Sequence, residues 1–327
     1  MQYSVVRYSE AVENSDFRID AEYYNPAYIE IHNKIKSKNG VLFCSKIKKI
    51  SSGKNLIQNE SGKYKFIRTQ NIRPVLIEDI GMSGVDNLSN LKPTKSGDML
   101  FVRVGEGVGN SSVVTNNYSG NAISDNVLRI ETKYINPFFC SIFFNCGIGQ
   151  TYFKRVFKGT ARSLISQENF KDILIPAFSD NFQKIFQSLI EEVQDFIESS
   201  KSLYQQAENL LLEELGLKDW KPKHQLSYVK NYSDTQQAER FDAEYFQPQY
   251  DAIIEKIKSY NQKQGIKKEV ILDDVVKWSK GVEVGSEQYL DEGFDFIRIS
   301  DFSSIGISIT SKKISSKLFT ELKGFVA

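Results

Sequence analysis

Five residues near the end of an apolar segment combine the side-chain types that read base edges in DNA: Arg68, Thr69, Gln70, Asn71 and Arg73. Arginine pairs bidentately with guanine in the major groove, and asparagine or glutamine pairs in the same way with adenine. The preceding run Tyr64–Ile67 predicts a strand that would present these side chains at its end. We therefore predict base contacts here; a structural role for a strand-end arginine is the competing interpretation.

A second group of residues suits the phosphate backbone, because cations and hydroxyls bind phosphate oxygens whatever the sequence. The predicted DNA-binding residues of this group are Lys54, Lys65, Thr160, Arg162, Ser163 and Ser166, and Arg103 is a further predicted DNA-binding residue. Residues 45–74 also carry eight lysines and arginines against Glu60 alone. Such a segment favours an anionic partner, nucleic acid first, although a merely solvated charged face fits the composition equally well.

Candidate catalytic motifs are present only in part. Asn25-Pro26-Ala27-Tyr28 faintly resembles the NPPY loop of amino-methyltransferases, but no glycine-rich strand end for S-adenosylmethionine accompanies it. Glu131 and Lys133, with Asp125 upstream, have the spacing of a metal-dependent nuclease. The alternating apolar residues around them are more typical of an ordinary strand.

Two further features could suggest a ligand site. Gly105–Gly109 follows a predicted strand, as a dinucleotide-binding loop does, but the next element is predicted to be a strand and not a helix. A tight turn is the better interpretation. His32 and His224 lie far apart in the sequence and give little support to a site centred on histidine. We predict no catalytic residue, metal or cofactor in this chain.

Length and composition indicate a soluble protein of about two domains. The chain has 327 residues, a formal net charge of +1 and 40% hydrophobic residues. It shows neither a signal-peptide pattern nor an apolar run of about 18 residues. Its cysteines, odd in number and without CxxC spacing, argue against a disulfide framework and against a zinc site. These features predict a cytoplasmic location.

The chain contains two copies of one sequence pattern. Arg18–Tyr28 recurs as Arg240–Tyr250, 222 residues later (240 − 18), and Phe66-Ile67-Arg68 recurs as Phe296-Ile297-Arg298. A repeat of this length corresponds to a whole domain. The second copy adds four predicted DNA-binding residues, which are Lys280, Arg298, Ser300 and Asp301. The two clusters differ in hydrogen-bonding character, which predicts that they read different sequences.

A long helix is predicted between the copies, over residues 181–217. Its predicted helix-pairing residues recur every three or four positions and form a heptad seam: Phe182, Phe186, Leu189, Val193, Phe196, Leu203 and Leu210. Acidic residues flank the seam, and Gly216 stands where a helix C-cap is expected. We predict a rigid coiled-coil spacer that pairs with another helix; burial in one globular core is the alternative.

These patterns predict an α+β fold with a mixed-sheet domain, a long spacer helix and a partial second copy of the domain. The predicted boundaries are residues 1–178, 179–218 and 219–327. Strands are expected at Asp98–Val104 and Val127–Thr132, among others. No counterpart of residues 98–217 follows in the second copy, so we expect a seam that pairs with a second chain or a fragment.

The motifs occur in one order: an R-[IF]-D-A-E-[YF]-[YF] sequence at Arg18 and again at Arg240, the strand Gly97–Gly105, Gly159–Arg162 before Ile175-Pro176, and the heptad helix. Together they resemble the DNA-sequence specificity subunit of type I restriction-modification systems, over nearly the whole chain. The resemblance implies two target-recognition domains, each reading one half of a bipartite DNA site. It also implies two long helices that pair and hold these domains apart.

The resemblance also implies what the chain binds. The partners would be double-stranded DNA, methyltransferase (M) subunits and the restriction (R) subunit, and S-adenosylmethionine would bind in the M subunit. A homodimer through residues 182–210 would favour a symmetric bipartite site. The main alternative is a coiled-coil scaffold or regulatory protein that binds protein partners without reading DNA. A nuclease that uses Glu131 and Lys133 comes third.

Overall fold

The computed structural model describes residues 5–13, 18–105, 107–157, 164–221, 224–266, 270–277, 280–303, 306–307 and 312–322. The chain divides into two compact units, Met1–Glu198 and Ser199–Ala327. No helix within the described ranges is both long and apolar enough to cross a membrane.

Local sequence explains where two of the helices begin. Each has proline at its first position and an asparagine cap, Asn25 or Asn136, whose side chain accepts a hydrogen bond from the backbone. Proline lacks an N–H that would otherwise be unsatisfied there, and asparagine is a favoured cap. The helices are α1 (Tyr8–Glu13), α2 (Pro26–Ser37), α3 (Pro137–Asn145), α4 (Gly147–Lys154), α5 (Asp180–Glu214), α6 (Tyr232–Ala238), α7 (Pro248–Lys263), α8 (Leu272–Val275) and α9 (Ser316–Leu322).

The strands lie mostly where apolar runs predicted them. They are β1 (Val41–Leu42), β2 (Ile47–Ser52), β3 (Tyr64–Ile67), β4 (Gly84–Val85), β5 (Met99–Val102), β6 (Ser111–Val113), β7 (Ala122–Ile123), β8 (Val127–Thr132), β9 (Leu174–Ile175), β10 (Phe294–Asp295), β11 (Phe302–Ser303), β12 (Gly306–Ile307) and β13 (Lys313–Ile314). The predicted bounds of β3 and β8 are confirmed to the residue.

Two sheets organise the first unit. One is antiparallel, in the order β2-β8-β5-β6. In the other, β3 pairs with β4 antiparallel and with β7 parallel, while β1 and β9 form a separate pair. In the second unit, β10 pairs with β13 and β11 with β12. Helices combined with both kinds of pairing confirm the predicted α+β fold.

Aromatic rings join the helices to the antiparallel sheet. Phe101 of β5 contacts Phe144 of α3 at 5.2 Å and Phe153 of α4 at 5.8 Å between ring centroids. All three side chains are fully buried. Burial of one such ring contributes about 1.5–3 kcal/mol, so this cluster fixes β5 and with it the point where β5 ends.

The repeated motif makes the same contacts in both units. Arg18 pairs with Asp20 at 2.7 Å, and Arg240 pairs with Asp242 at the same distance. In the first unit, Arg18 also donates to the carbonyl oxygens of Arg155 and Phe157, and its side chain is 14% exposed, against 52% for Arg240. The motif therefore has a structural role, since Arg18 holds the segment after α4 in place.

Within the described part of the second unit, Ile314 is the only hydrophobic residue that is buried.

The spacer helix α5 is confirmed as one continuous helix, and one of its faces packs on the first unit. Gln183, Ile190 and Gln194 are buried on this face. Gln183 accepts a hydrogen bond from the backbone N–H of Asn136 at 2.9 Å. Phe186, predicted to lie in the seam, instead packs on the core of its own unit, where its ring lies 5.7 Å from that of Phe139 in α3 between centroids.

The remaining seam residues form an exposed stripe: Phe182, Leu189, Val193, Phe196, Leu203 and Leu210. Their exposed fractions run from 41% for Phe182 to 68% for Leu210. Exposed apolar residues at heptad spacing are typical of a helix that pairs with another helix.

His32 gives the first unit a predictable response to acid. Its Nδ1 accepts a hydrogen bond from the Tyr152 hydroxyl at 2.8 Å, because that hydroxyl already accepts from the Leu174 N–H. Burial, reinforced by the positive charge of Arg155, lowers the pKa of His32 to about 4. The unfolded chain therefore binds a proton first, and stability should fall as the pH drops from about 6.5 toward 4.

We expect this loss to be on the order of 1 kcal/mol, since solvent still reaches part of the ring. Denaturant unfolding at pH 7 and pH 4.5 measures it. His32→Asn keeps an acceptor for Tyr152 but does not titrate, so the variant should lose less stability over this range. An equal loss of stability in the wild-type chain and the variant would show that His32 does not cause the response to acid.

Candidate nucleic-acid interface

Backbone hydrogen bonds bring several strand ends to one edge of the first unit. The Ser124 N–H donates to the Ile67 carbonyl at the end of β3 at 3.0 Å, and the Lys54 N–H, just after β2, donates to Ile123 at 3.2 Å. The Arg103 N–H, just after β5, donates to Asn126 at 3.0 Å. The turn between β7 and β8 thus joins the segments that carry Lys54, Arg68 and Arg103.

Gly53 allows this close approach. A Cβ at this position would lie 1.9 Å from the carbonyl oxygen of Ile123, so any other residue would push the segment away from β7. Lys54 follows directly and donates from Nζ to the Ser89 carbonyl at 2.9 Å. Its ammonium group is exposed and keeps further donors for a ligand.

Arg103, like Arg68, carries a buried guanidinium nitrogen without a hydrogen-bond partner among the described residues. Its backbone is fixed on both sides, because its carbonyl accepts from the Ile165 N–H at 3.0 Å. Its Nε is buried, yet it has no hydrogen-bond partner among the described residues. A buried N–H without a partner costs about 1–3 kcal/mol, which an anionic oxygen at this position would recover.

Arg68 is held by the turn that follows β3. Its backbone N–H donates to the side-chain oxygen of Asn71 at 3.0 Å, and its Nη2 donates to the Gly81 carbonyl at 2.6 Å. Asn71 is fully buried and also donates to the carbonyls of Glu78 and Ile80. In this conformation Asn71 therefore positions the turn and does not face a ligand.

Gln70 and Thr69 occupy the outer side of the same turn. Gln70 is exposed, and its amide makes only a long contact of 3.4 Å to the Gly81 carbonyl. The amide can therefore give up this contact and use its oxygen and nitrogen to hydrogen-bond to the edge of a base. Thr69 is half-buried beside it. Asn126 in the neighbouring turn is also exposed, and the sequence reasoning missed it because an Asn in a turn is so common.

Two acidic residues lie among the predicted cations. Arg73 pairs with Glu78 at 3.3 Å, and Lys65 pairs with Asp79 at 3.6 Å. The basic segment identified in the sequence ends at Pro74, so these acids were not counted. Half-exposed pairs of this kind contribute about 0–1 kcal/mol, so phosphate groups can compete for the cations.

The remaining predicted residues of the first unit fall into two groups. Ser166 caps a short helical turn through Asn169, whose side chain accepts from the Ser166 N–H at 2.6 Å and from its hydroxyl at 2.9 Å. This hydroxyl is thus engaged inside the unit. Thr160, Arg162 and Ser163 lie outside the described residues.

The second copy repeats the turn with a different charge. The Arg298 N–H donates to the Asp301 carboxylate at 2.8 Å, as the Arg68 N–H donates to Asn71, and the Arg298 guanidinium also pairs with Asp301 at 3.2 Å. Asp301 is buried, so it positions this turn and neutralises Arg298. Ser300 and Lys280 are exposed.

The candidate catalytic residues are engaged elsewhere or lie apart. Glu131 pairs with Arg129 at 2.9 Å and with Lys48 at 3.8 Å. Asp125 lies in the turn before β8, about 20 Å from Glu131 at the rise of an extended strand. The described residues contain no group of three histidine, cysteine or acidic side chains arranged to hold a metal ion. Gly105, Gly107 and Gly109 have positive φ and connect β5 to β6.

Chains similar to this one are found among solved structures. A scan against protein-family models finds no match, and a search of curated proteins finds none. Among solved structures, the S subunit of a type I restriction-modification system from M. genitalium is 12% identical with a TM-score of 0.42, over 83% of this chain and 62% of that chain.

Two further structures carry related titles. A structure titled for complex assembly and conformational transition of the type I restriction-modification system is 12% identical, with a TM-score of 0.36 over 63% of this chain and 53% of that chain. The HsdS subunit from Thermoanaerobacter tengcongensis is 13% identical, with a TM-score of 0.35 over 56% of this chain and 47% of that chain. Their family is the one that the sequence motifs resemble. Similarity at this level assigns neither a residue role nor an activity to this chain.

Proposed function

We propose that this chain is a sequence-specific DNA-recognition subunit of a type I restriction-modification complex and that it catalyses no reaction itself. One observation carries the proposal. Three segments that end or follow different strands bring Lys54, Arg68 and Arg103 to one edge, and Gln70 lies exposed beside Arg68. Cations and an amide held together on rigid strand ends suit contact with both phosphates and base edges.

The roles of these residues follow from their surroundings. Lys54 and Arg103 would bind phosphates, because each is a cation without an acidic partner among the described residues. Gln70 would read a base, and Arg68 would do so with the donors that Gly81 does not use. Asn71 would hold the reading turn in place. In the second unit Ser300 and Lys280 would make the contacts, since Asp301 already neutralises Arg298.

The other partners are proposed from the family resemblance. The methyltransferase subunits, which would carry S-adenosylmethionine, and the restriction subunit would dock on the spacer helix, in the cytoplasm. Two copies of the chain would pair through the exposed stripe of α5. That stripe supports pairing because six apolar side chains at heptad spacing are left exposed.

Salt dependence tests whether the strand-end cations contact DNA phosphates. Binding to a labelled random-sequence duplex should weaken linearly on a logarithmic salt scale. Arg103→Ala removes one phosphate contact, so the slope should fall by about 0.9. On a duplex that carries the motif retained from a random pool, Arg68→Ala should weaken binding about 5- to 150-fold at fixed salt through loss of a base contact. Fluorescence anisotropy with the full chain measures both effects.

Lys184→Ala is the matched control, because Lys184 is exposed on α5 and its loss changes the net charge equally. It should leave the slope unchanged. No measurable DNA binding by the wild-type chain would favour the scaffold protein that binds protein partners only. Equal salt slopes in the Arg103→Ala and Lys184→Ala variants would show that Arg103 does not contact the DNA.

A further inference from the structure

The first unit contains an open apolar groove that the DNA site does not use. Its volume is about 520 Å³. The apolar part of its lining comes from α2, α3, α4 and the residues after β9, and includes Ile31, Ile35, Phe143 and Phe178. Glu30, Lys34 and Lys38 lie on its rim. Lys34 pairs with Glu30 at 2.6 Å, so Lys38 is the rim cation without an acidic partner among the described residues. The groove therefore fits an apolar segment that carries negative charge at its edge.

The groove is continuous with the exposed stripe of α5. Phe178, in its wall, contacts Phe182 with 4.8 Å between ring centroids, and Phe182 is the first residue of the stripe. A helix that lies along the stripe would therefore reach the groove at the N-terminal end of α5. The occupant should be a segment that continues from such a helix.

The internal repeat identifies the residue that contacts the position equivalent to Lys38 in the second unit. Lys38 corresponds to Tyr260, at the repeat spacing of 222 residues (260 − 38). The Tyr260 hydroxyl donates to the Glu214 carboxylate at 3.0 Å, so in the second unit the last residue of α5 lies against the end of α7. In the first unit, α2 is the counterpart of α7, and the exposed Lys38 makes no comparable side-chain contact within the described part of the chain.

We propose that the groove of the first unit receives the C-terminal end of α5 from a second copy of this chain, around Leu211–Leu217. Glu214 of the second copy would pair with Lys38, while its leucines would fill the apolar floor. This inference rests on the proposed pairing of two copies through α5 and specifies its orientation and its end contact. Leu211 is 60% exposed and is thus accessible for such a contact.

Helix geometry agrees with this arrangement for an antiparallel pair. α5 has 35 residues and is therefore about 50 Å long. When two such helices overlap along their whole stripes in opposite directions, Leu210 of one lies within about one turn of Phe182 of the other. The residues after Leu210 then lie beside Phe178. A parallel pair would instead bring two grooves together and leave both unfilled.

Charge complementarity favours the same occupant. Lys34 of α2 already pairs with Glu30, and Glu213 of α5 already pairs with Lys218. Lys38 and Glu214 are the opposite charges that remain at the two ends to be joined. A carboxylate can accept several hydrogen bonds, so the contact between Glu214 and Tyr260 leaves room for a lysine. The negative end of the helix dipole also favours a cation at this position.

Cys146 provides a direct test, because it is exposed and lines the groove. A Glu214→Cys variant of the full chain, treated with a mild oxidant, should form a disulfide-linked dimer in at least several-fold higher yield than Glu191→Cys. The Glu214→Cys, Cys146→Ser double variant should lose this dimer. Every variant also carries Cys44→Ser, because Cys44 is the other free thiol that is not fully buried. A dimer that persists without Cys146 would then join the two introduced cysteines to each other, which indicates parallel helices and overturns the proposal.

A second measurement separates this proposal from the pairing on which it rests. Light scattering gives the mass of the wild-type chain in solution. A dimer that yields no Cys146-dependent link would keep the pairing and overturn the groove contact, and a monomer would overturn both. Lys38→Glu should weaken the dimer, and Lys38→Glu with Glu214→Lys should restore it at least in part; a failure to restore would also count against the contact.

Discussion

Replacing Arg129 by methionine is expected to destabilise the first unit by about 3–5 kcal/mol. Arg129 is 3% exposed and lies 2.9 Å from both Asp98 and Glu131. Its Nη1 also donates to the carbonyls of Lys92 and Pro93. Methionine would fill most of the volume but would leave the Asp98 carboxylate buried without a compensating charge, which is costly in a low-dielectric interior.

The pH dependence of this loss distinguishes charge from packing. Burial raises the pKa of Asp98 and the charge of Arg129 opposes this, so without Arg129 the pKa should rise further. A carboxyl with a raised folded-state pKa binds its proton more tightly in the folded chain, so stability falls as the pH rises through this range. The cost of Arg129→Met should therefore be smaller at pH 5 than at pH 8. Denaturant unfolding of both proteins at the two pH values measures it.

Asp98→Asn is the informative second variant. Combined with Arg129→Met, it should recover part of the loss, since the buried negative charge is gone, and a double-mutant cycle would show coupling of the two residues. Additive losses that do not change with pH would contradict the ion-pair account. The network matters for the proposed DNA site because it joins β5 and β8, which lead to Arg103 and to the turn at Asn126.

Introducing a charge into the exposed stripe should separate paired copies of the chain. Phe196 is 65% exposed and lies at the middle of the stripe. In a symmetric dimer, Phe196→Asp would remove an apolar contact of about 1.5–3 kcal/mol from each copy and would bury a carboxylate. We expect the dissociation constant to rise at least about 100-fold. Sedimentation equilibrium of the full chain over a range of concentrations measures it.

Ser188→Asp is the matched control, because Ser188 is exposed on α5 but lies outside the heptad seam. It should leave the dimer intact, since the new carboxylate stays in water. Equal dissociation by the two variants would point to a general effect of charge. A wild-type chain that is monomeric at all concentrations would contradict the pairing itself.

Regular periodicity made much of the fold predictable from the sequence. The ends of β3 and β8 could be predicted because their apolar runs end at polar turns. The continuity of α5 could be predicted because no proline or glycine interrupts it. Which apolar residues of α5 pack on the core was harder to predict from the sequence. Phe186 and Leu189 are both apolar, and only the position of the first unit decides that Phe186 packs on the core while Leu189 stays exposed.

The candidate site was predictable by residue type but not by the role of each residue. Asn71 and Ser166 are polar residues after predicted strands, as a DNA reader requires, yet both hold short turns through side-chain hydrogen bonds. Such caps depend on backbone conformation, which composition does not reveal. The acids at Glu78 and Asp79 reach Arg73 and Lys65 only because the chain turns back after Pro74.

Selection from a random pool of double-stranded DNA tests the central claim most directly. The full chain would be incubated with the pool, and the retained DNA would be sequenced after washing at physiological salt. We predict enrichment of a short motif by the wild-type chain and by Lys184→Ala, with loss of at least one base preference in Gln70→Ala. Salt-sensitive retention without any enriched motif, or no retention, would contradict a sequence-reading role for this chain.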